Sequence, residues 1–316
     1  MKKYSLTVIG IMAAVTGICA QETLKDSTWK TGGVISLNFT QAYYENWTAG
    51  GKPSVSGIGF LKLFATYEKN KVRWDNQLDL SYGIIRERQA TERKTDDKIN
   101  FDSKLGYNLG KSWYASFLTA FRTQFTPGYE DPEFQLVKIS DFMSPAYITI
   151  SAGADYNPNE NFSLFIAPIS AKTTIVLDQE LADKGSFGVK PGDWETIVRD
   201  TTGTIDSTFL PGQQFRYEIG AHLKLMYKAN IWTNVDFLTK LELYANYIDN
   251  FGNIDVNWEG LINMKVNDYL AANIRVELIY DDDIAIPTGT DEAGVTHYGP
   301  RVQIKQLLGI GLSYKF

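Results

Sequence analysis

The sequence predicts an all-β protein: a transmembrane, antiparallel, up-and-down β-barrel of twelve strands. Three observations carry that expectation. Apolar and polar residues alternate along segment after segment, short and long connections alternate between those segments, and the segment Arg301–Phe316 has a greasy face. There Val302, Ile304, Leu308, Ile310, Leu312, Tyr314 and Phe316 share one parity, while Arg301, Gln303, Lys305, Gly309, Gly311, Ser313 and Lys315 share the other. Successive side chains of a strand point to opposite faces, so an apolar face is backed by a polar or small one. A soluble sandwich would turn its charges outward to water. A membrane barrel turns them inward and shows the greasy face to lipid.

Residues 1–20 stand apart. Lys2 and Lys3 precede a mostly apolar stretch, Tyr4 to Ile18, and Ile18-Cys19-Ala20 precedes Gln21. This pattern predicts a signal peptide cleaved after Ala20, leaving 21–316 as the barrel. Lipidation of Cys19 would want a small residue before it, and Ile18 is large. Cys19 is the chain's single cysteine, so its removal excludes disulfides and thiol chemistry. Of 31 basic residues, 29 remain once Lys2 and Lys3 leave, against 37 acidic ones. A net charge of −8 offers no basic patch for phosphates, which argues against nucleic acid. No second apolar run could form a spanning helix. Export and strands together predict the outer membrane, with its lipid, including lipopolysaccharide, as the surroundings.

The strands follow in order. Val34 to Thr40 opens the series and Val55 to Tyr67 follows. Val72, Trp74, Leu78, Leu80, Tyr82 and Ile84 then oppose Arg73, Asp75, Gln77, Asp79 and Ser81. Ile99, Phe101, Leu105 and Tyr107 oppose Asn100, Asp102, Lys104 and Asn108. Trp113 to Phe121, Ala146 to Tyr156 and Phe162 to Leu177 come next, Pro168 requiring a local interruption or bulge. Tyr217 to Tyr227 alternates with Arg216 to Lys228, and Ile231 to Tyr247 makes the ninth strand. Ile254 to Val266, Leu270 to Tyr280 and Arg301 to Phe316 complete the set, the last closing against the first.

Connections supply a second test. Short links fall at Asn70-Lys71, Leu109 to Ser112, Asn157 to Asn161, Ala229-Asn230 and Asn267 to Tyr269. Those at Gln41 to Ser54, Arg86 to Lys98, Arg122 to Pro145 (122–145), Asp178 to Gly212 (178–212), Asn250-Phe251 and Asp281 to Pro300 (281–300) are longer or more variable. Short periplasmic turns and long extracellular loops are the outer-membrane arrangement.

The blocks NFTQAYYENWTAGG (38–51), WDNQLDLSYG (74–83) and RKTDDK (93–98) carry a resemblance. So do WYASFLTAFRTQFTPGY (113–129), SPAYITISAGADYNP (144–158) and APISAKTTIV (167–176). Together they resemble the Bacteroidetes envelope family catalogued as domain of unknown function 3078 (DUF3078), from about Trp29 to Phe316. The resemblance implies an outer-membrane β-barrel and brings no established activity, so it implies no catalytic residues.

Inward parity assigns the lumen. Its expected lining is Arg73, Asp75, Asp79, Asp102, Lys104, Arg122, Arg216, Glu218, His222, Lys224, Asp236, Lys240, Glu242, Asp255, Glu259, Lys265, Arg275, Glu277, Arg301 and Lys305. Paired, these charges form a closing network; segregated, they form a selective pore. The last strand predicts a lumen narrowed by charge near the outer mouth and roomier toward the periplasm.

Catalysis and metals are weakly signalled. Only His222 and His297 could serve a nucleophile as base, and neither sits in a recognisable motif. Asp96-Asp97 and Asp281-Asp282-Asp283 read as solvated acidic rims on which calcium is conceivable, and no zinc or phosphate-loop spacing exists. The expectation is a non-enzyme without cofactor. Loop 178–212 is long enough to need a task. Phe187, Trp194 and Phe209, with Tyr129 of 122–145, are its expected contacts, folding over the mouth or meeting an envelope partner. Two functions fit: a small channel for passive passage of solutes or ions, and a non-catalytic structural or accessory subunit of an outer-membrane complex.

Overall fold

Alternation over eleven or more residues gives each segment one face that cannot be left in water, and closing the sheet on itself buries every backbone edge at once. The computed structural model describes residues 28–42, 53–87, 90–130, 134, 137–198, 205–249, 252–267, 269–284, 286–291 and 294–316. The expected signal peptide at 1–20 and most of the 41–54 connection lie outside the described residues.

Twelve strands form the barrel: β1 (Trp29–Ala42), β2 (Ser54–Lys69), β3 (Val72–Glu87), β4 (Arg93–Gly110), β5 (Trp113–Thr123) and β6 (Ala146–Asn159). The circuit continues with β7 (Phe162–Ile175), β8 (Phe215–Trp232), β9 (Val235–Asn246), β10 (Ile254–Lys265), β11 (Leu270–Tyr280) and β12 (Gln303–Lys315). Each pairs antiparallel with its neighbours in sequence, and β12 closes on β1. At the seam Leu37 faces Leu312 and Asn38 faces Gly311. Gly311 is required there, since a Cβ would lie 2.0 Å from the Leu37 carbonyl oxygen.

One turn moves. The link expected at Ala229-Asn230 lies at Thr233-Asn234, because β8 runs on to Trp232. Asn230 and Asn234 both suit a tight turn, and the chain uses Asn234, at φ 65°. Asn230 instead donates to Asp236 at 3.0 Å. The expected irregularity near Pro168 is present as a shift in the β7–β8 register between Gly220 and His222.

Outward parity is mostly apolar, the polar Asn76 and Ser103 bonding each other and Ser103 also accepting from the Trp74 indole. Ile304, Leu308, Ile310, Leu312, Tyr314 and Phe316 are all exposed, as are Leu105, Phe117, Ile150, Ile169 and Ile219. Aromatic rings gather at the short-turn end. Trp29 lies 5.2 Å from Tyr67 and 5.7 Å from Trp74, and Trp113 lies 4.9 Å from Tyr156, forming part of an interfacial girdle. Trp29 at the start of β1 and Lys315 at the end of β12 share this end of the barrel with the short turns.

At the opposite end, the connection from β7 to β8 makes the longest excursion. A short helix, α1 (Gln179–Asp183), is capped by Asp178, whose side chain accepts from the Leu181 N–H. Val176, Leu181, Ala182 and Val189 bury one another beside Phe187. A hairpin, 193–198 with 205–210, follows.

Candidate functional site: the lumen and its outer mouth

Because the greasy parity faces outward, the opposite parity of every strand converges on the barrel axis, where many charges must coexist. The charges pair across the lumen. Lys240 on β9 lies 3.3 Å from Asp79 on β3, six strands around a twelve-strand circuit and therefore on the opposite wall. Lys98 on β4 lies 3.4 Å from Glu259 on β10, again diametrically opposite, and 3.1 Å from Glu277 on β11. Lys305 meets both Asp96 and, at 3.4 Å, Glu277. Arg122 pairs with Glu242, Lys224 with Asp102, and Lys104 with Asp155 at 2.6 Å.

Arg73 bonds Asp75 at 2.8 Å along its own strand, and Arg275 stacks 4.5 Å over the Phe60 ring. Lys265 and Arg301 lie exposed near the strand ends, outside this network. Most of the expected lining is therefore brought together. Asp96, Lys98, Asp155 and Lys172 were missed, although parity was available for Lys98, one residue before outward Ile99. Asp96 and Asp97, expected on an exposed rim, lie within β4. Asp96 is buried against Lys305. Asp97 accepts Lys94 and the Phe125 and Thr126 N–H groups, which anchors the start of the 122–145 loop.

Two cavities lie among these charges in the described residues. One, of about 1070 Å³, is lined by Arg122, Tyr147, Lys172, Glu242 and Tyr244 and by Leu181, Phe187 and Tyr298 from the loops. The other, of about 460 Å³, lies against β1–β3 and is lined by Lys62, Asp79, Lys240 and Arg275. Lys98 lines both. The larger space is at the long-loop end, contrary to the expectation of room toward the periplasm. The loops build walls above the strands there, and the Lys305–Asp96 pair lies in the lining of that same outer cavity.

His222 is 1% exposed and sits in a buried chain of hydrogen bonds. Its Nδ1 lies 2.9 Å from Ser151 Oγ, which lies 2.5 Å from Ser170 Oγ, and its Nε2 lies 3.0 Å from Glu242 Oε1. The three residue types and their hydrogen-bonded order are those of a hydrolase triad, but the hydroxyl is closed off from any substrate. Ser151 is 1% exposed, and Arg122 holds the carboxylate. These atoms satisfy one another. His297, in the last loop, lies exposed at 3.1 Å from Asp291.

At the mouth, Asp255, Asp281 and Asp282 present carboxylate oxygens within 4.8 Å of one another, a grouping that could hold a metal ion. Lys172 already stands among them, 2.7 Å from Asp255 and 3.9 Å from Asp281, with Glu218 at 3.7 Å. Arg216 bonds Asp283 at 2.5 Å. Burial, with Asp255 and Asp283 adding to it against the pull of Lys172, raises the Asp281 carboxyl to about 6.

Loops 122–145 and 178–212 meet through polar groups. Lys138 pairs with Asp178, whose N–H donates to Ser144 Oγ at 2.8 Å. Burial alone would raise Asp178, but the Lys138 hydrogen bond and the Leu181 N–H hold it below the ordinary carboxylate range. The expected contact residues divide. Phe187 packs against the cluster around α1, whereas the Trp194 and Phe209 rings meet at a tilt, centroids 5.4 Å apart, with Trp194 64% exposed. Tyr129 pairs with Lys138 in its own loop.

A closed barrel with a lipid-ready exterior and a charged interior defines the class: this is a β-barrel of the outer membrane. Residues 39–129 match the family described as "Protein of unknown function (DUF3078)". The chain is similar to an outer membrane channel from Pseudomonas putida F1, with 12% identity, TM-score 0.38, and coverage of 90% of this chain and 94% of that one. It is also similar to the translocator domain of the autotransporter NalP from Neisseria meningitidis (8%, TM-score 0.35, coverage 98% and 94%). A third similar structure is the NanC porin (9%, TM-score 0.32, coverage 90% and 100%). No curated protein matches the sequence.

Proposed function

We propose that the protein is a non-catalytic outer-membrane barrel whose resting lumen is closed, serving as a structural or accessory component of the envelope. One observation carries this reading: ion pairs join opposite walls at Lys240–Asp79 and Lys98–Glu259, so no uninterrupted column of water is needed to solvate the interior charges. A twelve-strand circuit lies between barrels filled by side chains and barrels with aqueous channels, and the pairing favours the filled state. The sealed Ser151 supports the absence of hydrolysis. The exposed Trp194–Phe209 pair supports a contact on the outer side, with lipopolysaccharide or an envelope protein. Membership of the DUF3078 family beyond residues 39–129 belongs to the same reading.

The small-channel reading has one observation in its favour. Lys98 lines both cavities, so they approach each other at that side chain. Liposome swelling with solutes of graded size distinguishes the two. Vesicles holding the purified barrel should swell no faster than empty ones. Rapid swelling in a small sugar would establish the channel instead.

A further inference from the structure

The smaller cavity has a wall of hydroxyls with nothing to bond. Ser36 and Ser81 are 8% and 4% exposed, and their Oγ atoms make no hydrogen bond among the described residues. Thr95 Oγ1 and Asp79 Oδ1 share that condition. Register explains their convergence: Ser36 and Ser81 both pair with Phe60, one from β1 and one from β3, and so flank its inward ring. The Arg275 guanidinium lies over that ring. Two residues along β2 the next inward side chain is Lys62, which makes no ion pair within 4 Å among the described residues. Its cross-strand neighbour Asp79 is taken by Lys240 and by Gln77.

The hydroxyls and the lysine ask for different things, and one ligand class answers both; Asp79 Oδ1, which only accepts, is answered by an oxyanion that keeps an O–H, as a hydrogen phosphate does. Orphaned hydroxyls need an acceptor or a donor, and a neutral hydroxylated molecule or water could supply either. A half-buried lysine with no direct ion pair favours an anion, although the Asp79 and Glu259 carboxylates line the same space. Metal cations would be repelled by Lys62, Lys240 and Arg275. We infer that this cavity binds a small oxyanion, a phosphate or a carboxylate, between Lys62 and the Ser36–Ser81 hydroxyls. Its volume, about 460 Å³, is within the range of small-ligand pockets and leaves room for more than the charged group alone. The site depends on the walls of β1–β3 and on Arg275, and it stands whether or not the lumen conducts.

The test is calorimetric titration of the full barrel in detergent with sodium phosphate and, separately, sodium acetate, at constant ionic strength. Saturable binding of either anion supports the site, and the tighter of the two identifies the chemistry. Lys62→Met should weaken it by about tenfold or more, as loss of a charge-assisted hydrogen bond does. Lys62→Arg should retain it, and Ser36→Ala with Ser81→Ala should weaken it severalfold. Heat-modifiable migration on gels shows that each variant forms the barrel. Absence of saturable binding by the wild type overturns the inference, as does equal binding by wild type and Lys62→Met. Tighter binding of glucose than of either anion also overturns it.

Discussion

Lys240 reaches Asp79 across the full width of the barrel, Nζ standing 3.3 Å from Oδ2, although the two residues belong to strands six places apart in a circuit of twelve. Neighbouring residues on one sheet could have neutralised these charges locally. A pair spanning the diameter does something local pairing does not: it occupies the axis. The Lys98–Glu259 pair repeats the relationship.

The outer face is a lipid solvent boundary, and Leu308, 70% exposed near the middle of β12, tests it. Leu308→Arg should destabilise the barrel by about 2–4 kcal/mol in lipid vesicles, the cost of an arginine near the bilayer midplane. Denaturant unfolding monitored by tryptophan fluorescence measures it, with Leu308→Ala as the smaller change.

Asp178 does two things at once, capping α1 and holding Lys138. Asp178→Ala should cost the segment about 1 kcal/mol from the cap alone. It should also render residues 179–198 sensitive to added protease in vesicles where the wild-type loop resists. The depressed Asp178 carboxyl stabilises the loop above its unfolded value, and that contribution is lost as pH falls through the lower folded value.

Asp281 works with the opposite sign. Its folded value of about 6 lies above the ordinary 3.8, so the folded state binds more protons between them. Its contribution to stability is fully present below about 4 and is lost as pH rises through about 6. Thermal unfolding followed by circular dichroism from pH 4 to 8 should show a decline across that window, and Asp281→Asn should flatten it.

Strands were legible in the sequence because period two is a local property, read from residues such as Ile304, Leu308 and Ile310 without knowing their neighbours. The turn at Thr233-Asn234 was not, because Asn230 offers the same local chemistry four residues earlier. Inward parity also identified most charges. Their partners were beyond reach: Lys98 and Glu277 are 179 residues apart, Lys305 and Asp96 are 209 apart, and only barrel closure brings them together. For the same reason the unbonded hydroxyls of Ser36 and Ser81 carried no signal. Nothing in a serine's own neighbourhood says that its third dimension lacks an acceptor.

Single-channel recording in planar bilayers tests the closed lumen most directly, comparing the wild type with the double variant Lys98→Gln, Lys240→Gln. The wild type should insert without stepwise conductance. The variant, which leaves Asp79, Glu259 and Glu277 without those lysines, should open cation-preferring steps. Stable wild-type openings, equal in size to those of the variant, would contradict the account.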